Sequence, residues 1–370
     1  MDFRNLDSFI DSVIAMGIPT ADIMLWQNHE EIHRYSAGAE ELPDPDGLYY
    51  MYSISKVITC TAAMTLVEQG KFLLDSPIKD YMPEFADVTV DEGDNGIVPA
   101  RRKIRVRDLF CMTAGFNYNL TSAQIRQVQD ATGGRAPTRE IMGALARTPL
   151  SFQPGKKFQY SLCHDVLAGL CEAVTCERFA DFVKRVIFDP LGMKNSYYHT
   201  TPDILDRMVT QYRFNDRTGR ADDMGKGNMY VLGSEYDSGG AGVISCMHDM
   251  MLFTDALANG GVGANGARII SRASIDLMRT PMLTEEQRSS FVWAQLGSGY
   301  SYGLGVRTCV NPSFGLLSPV GEFGWGGAAG SLMIISPENH LAGFYCQHML
   351  NNKEAFIHPR LWNIVFSTIS

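Results

Sequence analysis

Tyr52-Ser53-Ile54-Ser55-Lys56, with the apolar run that follows as far as Gly70, decides how the rest of this chain is read. Val57, Ile58, Cys60, Ala62, Ala63, Met64, Leu66 and Val67 cover nearly every face of a helix. A helix that is apolar all round belongs inside a large core. Glu68 and Gln69 are its first clearly polar pair, and Gly70 is a natural stop. The pattern puts Ser53 at the helix start, where backbone N–H groups have no intrahelical partner and the dipole favours negative charge. A serine attacking from there leaves its oxyanion near bare donors. Lys56, three residues on, shares its face. Held against an apolar helix, its amine loses proton affinity and can serve as a base. That is the chemistry of a Ser-x-x-Lys pair. Taken alone, the motif reads more readily as a plain N-cap serine with a solvated lysine. A second copy, Ser76-Pro77-Ile78-Lys79, has no apolar helix after it; Asp75, Asp80 and Pro83 mark a surface connection.

The chain has 370 residues, enough for two lobes or one elaborated domain. Hydrophobic content of 45% and charged content of 20% fit a globular enzyme. A net charge of −9 argues against nucleic acid as a partner, and no basic run offsets it. No stretch reaches the apolar length of a membrane span. The opening Met1-Asp2-Phe3-Arg4-Asn5-Leu6-Asp7 has no apolar signal region. The eight cysteines form no Cys-x-x-Cys pair and read as reduced, mostly buried thiols. These features predict a cytoplasmic protein, with export of a processed form as the alternative.

Residues 3–16 carry apolar side chains at helical spacing and predict an amphipathic helix ending at Gly17. Ile23–Trp26 and Ile32–Tyr35 read as strands around a polar turn, and Tyr49–Tyr52 as a third strand. His29-Glu30-Glu31-Ile32-His33 matches a zinc-protease pattern, but that pattern needs a helix, and here it spans a turn and a strand. Helices are predicted at 106–112, 138–146, 167–174, 179–188, 248–258 (with Ser245 as cap) and 271–278. Residues 212–230 read as a polar hairpin or loop bordering a cleft. Strands return at 304–310, 332–335 and 342–347, before a last helix at 359–368. Strands near both ends predict one sheet built from both. Gly299-Tyr300-Ser301-Tyr302-Gly303 matches a nucleophile elbow, yet a strand follows it where a helix is required. Arg217-Thr218-Gly219 mimics a Lys-Thr-Gly box in a polar turn.

From Ser53 and Lys56 onward the chain resembles the serine β-lactamase-related family, most of all the class C β-lactamase-like (family VIII) carboxylesterases and related acyltransferases, with penicillin-binding proteins further off. Leu74-Asp75-Ser76-Pro77-Ile78, Tyr81-Met82-Pro83-Glu84-Phe85, Arg105-Val106-Arg107-Asp108-Leu109 through Thr113-Ala114-Gly115, and Phe188-Asp189-Pro190-Leu191-Gly192-Met193 carry the likeness over most of the chain. The resemblance implies an α/β (α+β) β-lactamase/transpeptidase-like fold: an antiparallel sheet flanked by helices, plus an inserted helical lobe. The division expected is 1–75 with 236–370 for the sheet lobe and 76–235 for the helical lobe, with the active site between them.

By the same resemblance Tyr160, in Phe158-Gln159-Tyr160-Ser161, is the second catalytic element. Next to the Lys56 cation its phenol is expected to have a lowered pKa and to take the Ser53 proton. Leu162 stands where the family usually has asparagine, and His164 and Asp165 are read as lysine or substrate contacts or as supporting residues. Trp325-Gly326-Gly327 resembles the third box. There penicillin-recognising members carry lysine or histidine, and esterase-like ones tryptophan. The backbone N–H groups of Ser53 and Ala328 are the implied oxyanion hole, and Trp325, Gly326, Gly327, Leu162 and His164 the implied substrate contacts. The reading is a serine hydrolase that forms an acyl-enzyme on a small-molecule ester or amide, with no metal and no cofactor. Esterase ranks first. The alternatives are a β-lactamase, a D-amino-acid peptidase or carboxypeptidase, and a penicillin-binding sensor that acylates without turnover.

Overall fold

The computed structural model describes residues 1–39, 42, 44–291 and 299–369. Helix α1, Arg4–Ala15, buries Leu6, Ile10 and Val13, and Gly17 at φ +90° turns the chain away from it. β1 (Thr20–Gln27) and β2 (Glu30–Gly38) form an antiparallel hairpin. Asn28 and His29 take positive φ at its tip. The zinc-like pattern therefore runs round a hairpin tip and along β2, where its histidines bond different carboxylates: His29 with Asp255 and His33 with Asp7, each at 2.7 Å.

Helix α2, Ser55–Glu68, buries all of its residues from Ser55 to Leu66. Gly70 follows at φ +66°. Each large apolar side chain so buried contributes roughly 1.5–3 kcal/mol. Helix α3, Cys163–Thr175, packs along α2. Around this pair lie short helices and small hairpins. One helix, Ala123–Ala131 capped by Ser122, escapes the sequence pattern because only Ile125 and Val128 are buried among polar neighbours. The helix expected over 179–188 is α-helical only for Phe179–Val183 and widens to a π turn over Lys184–Phe188. Ser76-Pro77-Ile78-Lys79 enters a 3-10 turn, with Lys79 turned to Asp80 at 2.7 Å.

Helix α4, Met247–Ala258, is preceded by Cys246 at the N-cap position. The expected cap, Ser245, is used instead in a two-residue strand paired with Tyr49. The rest of the main sheet follows: β3 (Tyr300–Tyr302), β4 (Arg307–Cys309), β5 (Phe323–Gly324), β6 (Leu332–Ser336) and β7 (Leu341–Cys346). The order is β2-β1-β7-β6-β5-β4-β3, antiparallel throughout. Ser301 lies inside β3 opposite Thr308, so it is a strand residue and not an elbow.

Helix α5 runs Glu354–Ile369, five residues longer at its start than the sequence suggests, with Pro359 inside it. The Asn352 side chain accepts the Glu354 N–H at 2.9 Å and so begins the helix early. α4 packs on β1, β6 and β7, and α1 packs on β1, β2 and α5. With helices flanking the sheet, β6 and β7 are buried along their whole length. Among the described residues no helix is long and apolar enough to cross a membrane. All eight cysteines are unpaired, and only Cys176 is exposed.

Candidate active site

The segment ahead of α2 is held at several points. Tyr49–Tyr50 pairs with Ile244–Ser245, and the Met51 N–H donates to the Val243 carbonyl at 2.9 Å. Tyr52 then adopts φ +47°, with its ring buried and its hydroxyl bonded to Gln211. A non-glycine residue in that region carries strain that the surroundings must hold. Ser53 follows in the 3-10 turn Tyr52–Ile54, immediately before the α-helical residues of α2.

Lys56 is fully buried in the first turn of α2. Its Nζ donates to the Gly240 carbonyl at 2.7 Å, the Tyr118 hydroxyl at 2.8 Å and Ser53 Oγ at 3.4 Å. An ammonium has three protons and no acceptor, so three partners suit its charged form. Burial opposes that charge and brings the pKa down to about 8, against the attraction of Asp165. Both protonation states are therefore within reach near neutral pH.

Tyr160 does not behave as the sequence suggests. The Lys56 amine stands over its ring, 4.7 Å from the centroid, and bonds other groups. The Tyr160 hydroxyl instead bonds Ser53 and accepts the indole N–H of Trp325 at 3.2 Å. Burial outweighs these bonds and pushes its pKa up, not down. Tyr160 rests as a neutral phenol.

Trp325 is correspondingly committed. Its ring stacks on Tyr160 at 5.6 Å, and its indole N–H serves Tyr160, where the sequence left it for a ligand. The chain then turns tightly, with Gly327 N–H to Ser331 O at 2.8 Å and Gly330 N–H to Gly327 O at 2.9 Å. A Cβ on Gly327 would lie 2.2 Å from Ser331 Oγ and 2.7 Å from the Met51 carbonyl. Its bare Cα thus lets this turn sit directly on the segment that leads into Ser53. From the far side, Asn352 donates to the Ala328 carbonyl at 2.8 Å.

Ser53, Tyr160, Trp325, Gly326, Gly327 and Ala328 line one cavity of about 800 Å³, with Lys56 buried behind Ser53. Leu162 and His164 are not brought to it. Leu162, 3% exposed, is the residue before α3, and His164 is wholly buried, with Nε2 3.1 Å from the Phe110 carbonyl and 3.5 Å from Cys60 Sγ. Burial lowers the His164 pKa to about 3. Their nearness to Tyr160 in sequence misleads, because the start of α3 turns both side chains inward.

Tyr118 and Tyr230 are the residues that sequence reasoning missed. Tyr118 holds Lys56 and its ring lies 5.6 Å from that of Tyr160; Tyr230 packs edge-on to Tyr118 at 5.9 Å. Only position could have signalled them: Tyr118 follows the Thr113-Ala114-Gly115 turn, and Tyr230 closes the polar 212–230 segment. That segment contains the hairpin Tyr212–Asn215/Arg220–Asp223, whose turn carries Arg217-Thr218-Gly219.

The family model described as Beta-lactamase matches residues 6–364. The Mycobacterium tuberculosis protein Rv1367c (strain ATCC 25618 / H37Rv) is 30% identical over 338 residues, covering 87% of this chain and 84% of its own. A putative D-alanyl-D-alanine carboxypeptidase of Salmonella typhimurium is 24% identical over 376 residues, covering 92% of this chain and 81% of its own. Among solved structures, EstCE1, a hydrolase with promiscuous acyltransferase activity, superposes with a TM-score of 0.80 at 21% identity, over 98% of this chain and 99% of that one. This last likeness is one of fold.

Proposed function

Because the chain belongs to the beta-lactamase family, we propose that it is a serine esterase that works through an acyl-enzyme on Ser53. The observation that carries this is the setting of Ser53 Oγ: the Lys56 amine lies at 3.4 Å, and the Tyr160 hydroxyl, held by Trp325, bonds it from another side. Free-amine Lys56 takes the Ser53 proton as Oγ attacks the ester carbonyl. The oxyanion forms against the N–H groups of Ser53 and Ala328, where one such donor is typically worth about 3–4 kcal/mol. Tyr160, a neutral phenol, gives its proton to the departing alkoxide. The acyl-enzyme then holds an ammonium at Lys56 over a phenolate at Tyr160. Water loses a proton to that phenolate and attacks the acyl carbon, and Lys56 returns its proton to Ser53 Oγ. The protons balance, and the net reaction is ester plus water to acid plus alcohol.

The cavity wall favours uncharged substrates. Tyr118, Leu120, Tyr160, Met229, Tyr230 and Trp325 line it. The Arg307 guanidinium is taken by Glu322 at 2.9 Å, and the Lys353 amine sits over the Phe214 ring at 4.0 Å. Trp325 also stands where penicillin-recognising relatives present a cation. Acyl transfer to a second alcohol would use the same residues, and the name of EstCE1 is in keeping with that. The test is hydrolysis of p-nitrophenyl esters of graded acyl length by the wild type and by Ser53→Ala. Activity in the first and its loss in the second is the expected result. Activity undiminished in Ser53→Ala would overturn the proposal. Faster turnover of nitrocefin or of a D-Ala-D-Ala peptide than of any simple ester would replace the ester by an amide, in keeping with the name of the Salmonella relative.

A further inference from the structure

Behind Lys56 lies a carboxylate that the proposed reaction does not use. Asp165, on α3, is 2% exposed. Three donors converge on its Oδ1: the Ser238 hydroxyl at 2.7 Å, the Tyr236 hydroxyl at 2.8 Å and the Gly240 N–H at 3.3 Å. All three belong to the segment whose Gly240 carbonyl accepts from Lys56 at 2.7 Å. The adjacent Gly239 carbonyl accepts from Thr59 of α2 at 2.7 Å. One carboxylate oxygen therefore fastens the loop that receives the lysine.

The other oxygen faces the lysine itself. A Cβ on Gly240 would sit 2.5 Å from Asp165 Oδ2 and 3.2 Å from Lys56 Nζ. The bare Cα of Gly240 is what leaves the carboxylate and the amine facing each other across a narrow gap. No other residue type would leave that gap clear.

We propose that Asp165 is a positioning residue: through Gly240 it fixes where the Lys56 amine points, and across the gap its charge governs how readily that amine keeps a proton. The inference rests on the reading of Lys56 as the base. The other groups around the amine are the Ser53, Tyr118 and Tyr160 hydroxyls, the Cys60 and Cys163 thiols and the His164 imidazole. Burial pushes both thiols up and His164 down, so all three are uncharged at neutral pH. Asp165 is the charge among them that favours the ammonium. A buried lysine without it would hold its proton too weakly to carry it through the acyl-enzyme and give it to the departing Ser53 Oγ in deacylation. With a carboxylate in direct contact it would hold the proton too firmly to act as base.

The test is a titration of the Lys56 amine by NMR in protein carrying ¹⁵N-labelled lysine, in the wild type and in Asp165→Asn. The asparagine keeps an oxygen for the three donors and removes the charge. The Lys56 midpoint is expected to fall by about 1–2 pH units. Gly240→Ala, which pushes a methyl group into the gap, is the second variant, and the same direction of shift is expected. An unchanged Lys56 midpoint in a folded variant of either kind would overturn the proposal. The titration needs no substrate, so it reads the Asp165–Lys56 coupling whether or not the protein hydrolyses esters.

Discussion

The indole N–H of Trp325 donates to the Tyr160 hydroxyl at 3.2 Å while the two rings stack at 5.6 Å. One side chain thus sets both the plane and the hydroxyl direction of the other. Trp325→Phe keeps an aromatic stack and removes the donor. Loss of one neutral hydrogen bond is worth about 1 kcal/mol, so kcat on p-nitrophenyl acetate should fall roughly 5-fold with KM nearly unchanged. A rise in KM at constant kcat would show that Trp325 serves substrate binding and not Tyr160.

The proposed acylation uses the free amine of Lys56, whose pKa burial lowers to about 8. The rate of Ser53 labelling by a fluorophosphonate should therefore climb with pH and level off above about 8. Lys56→Arg cannot give up its proton and should label roughly 10²–10⁴-fold more slowly across the range. A labelling rate that falls between pH 6 and pH 9 would remove Lys56 as the base.

Gly327→Ala tests the contact between the glycine turn and the Ser53 segment. The new methyl group would lie 2.7 Å from the Met51 carbonyl, which is backbone and has little room to move. Overpacking of this kind typically costs about 1–3 kcal/mol. We expect a lower melting temperature and at least a 10-fold loss of kcat/KM, because the displaced segment is the one that aims Ser53. Gly326→Ala is the control: its Cβ would meet nothing nearer than 3.4 Å, so its melting temperature should stay close to that of the wild type.

His358, on α5, is buried with its pKa lowered to about 4 from 6.5. Below pH 6.5 the unfolded chain binds a proton there that the native chain refuses, so this contribution to stability is whole above pH 6.5 and drains away as pH falls to about 4. His358→Gln removes the titration and retains an N–H for the Gly330 carbonyl, now 3.4 Å from Nε2. Urea unfolding at pH 7 and pH 5 should show the variant losing roughly 2 kcal/mol less than the wild type over that interval. Equal losses would mean that His358 takes up its proton as readily in the native chain as in the unfolded one.

The parts of the site that the sequence reveals are those coded locally or by resemblance. Ser53 and Lys56 are three residues apart on one apolar helix, and the spacing alone puts them on one face. Tyr160 and Trp325 follow from the likeness of their surrounding boxes. The proton affinity of Tyr160 is misjudged because it turns on a three-dimensional detail: the cation stands over the ring, and the hydroxyl faces a serine and an indole. Tyr118 reaches Lys56 from a distant segment, where no periodicity points to it; Asp165 is flagged by the sequence only as a neighbour of the Tyr160 box, and its place behind Gly240 comes from the fold. Leu162 and His164 fail for the opposite reason, since closeness in sequence to Tyr160 says nothing about which way the first turn of α3 faces. The sheet is legible at both ends of the chain because β1, β6 and β7 are nearly continuous apolar runs; the π turn at 184–188 and the early start of α5 depend on packing and capping that composition hides.

The pairing of β1 with β7 places Asp22 opposite Cys346. On the ribosome, then, the first hairpin must wait, one edge unsatisfied, until β7, at Leu341–Cys346, has emerged. Native pairings so far apart in sequence are slow to find and leave the waiting edge open to wrong partners. Ser53, Lys56 and Tyr160 are all synthesised long before Trp325, Ala328 and α5 arrive to complete the cavity. A nascent chain therefore carries Ser53 and Lys56 through that interval without the wall that completes the cavity around them.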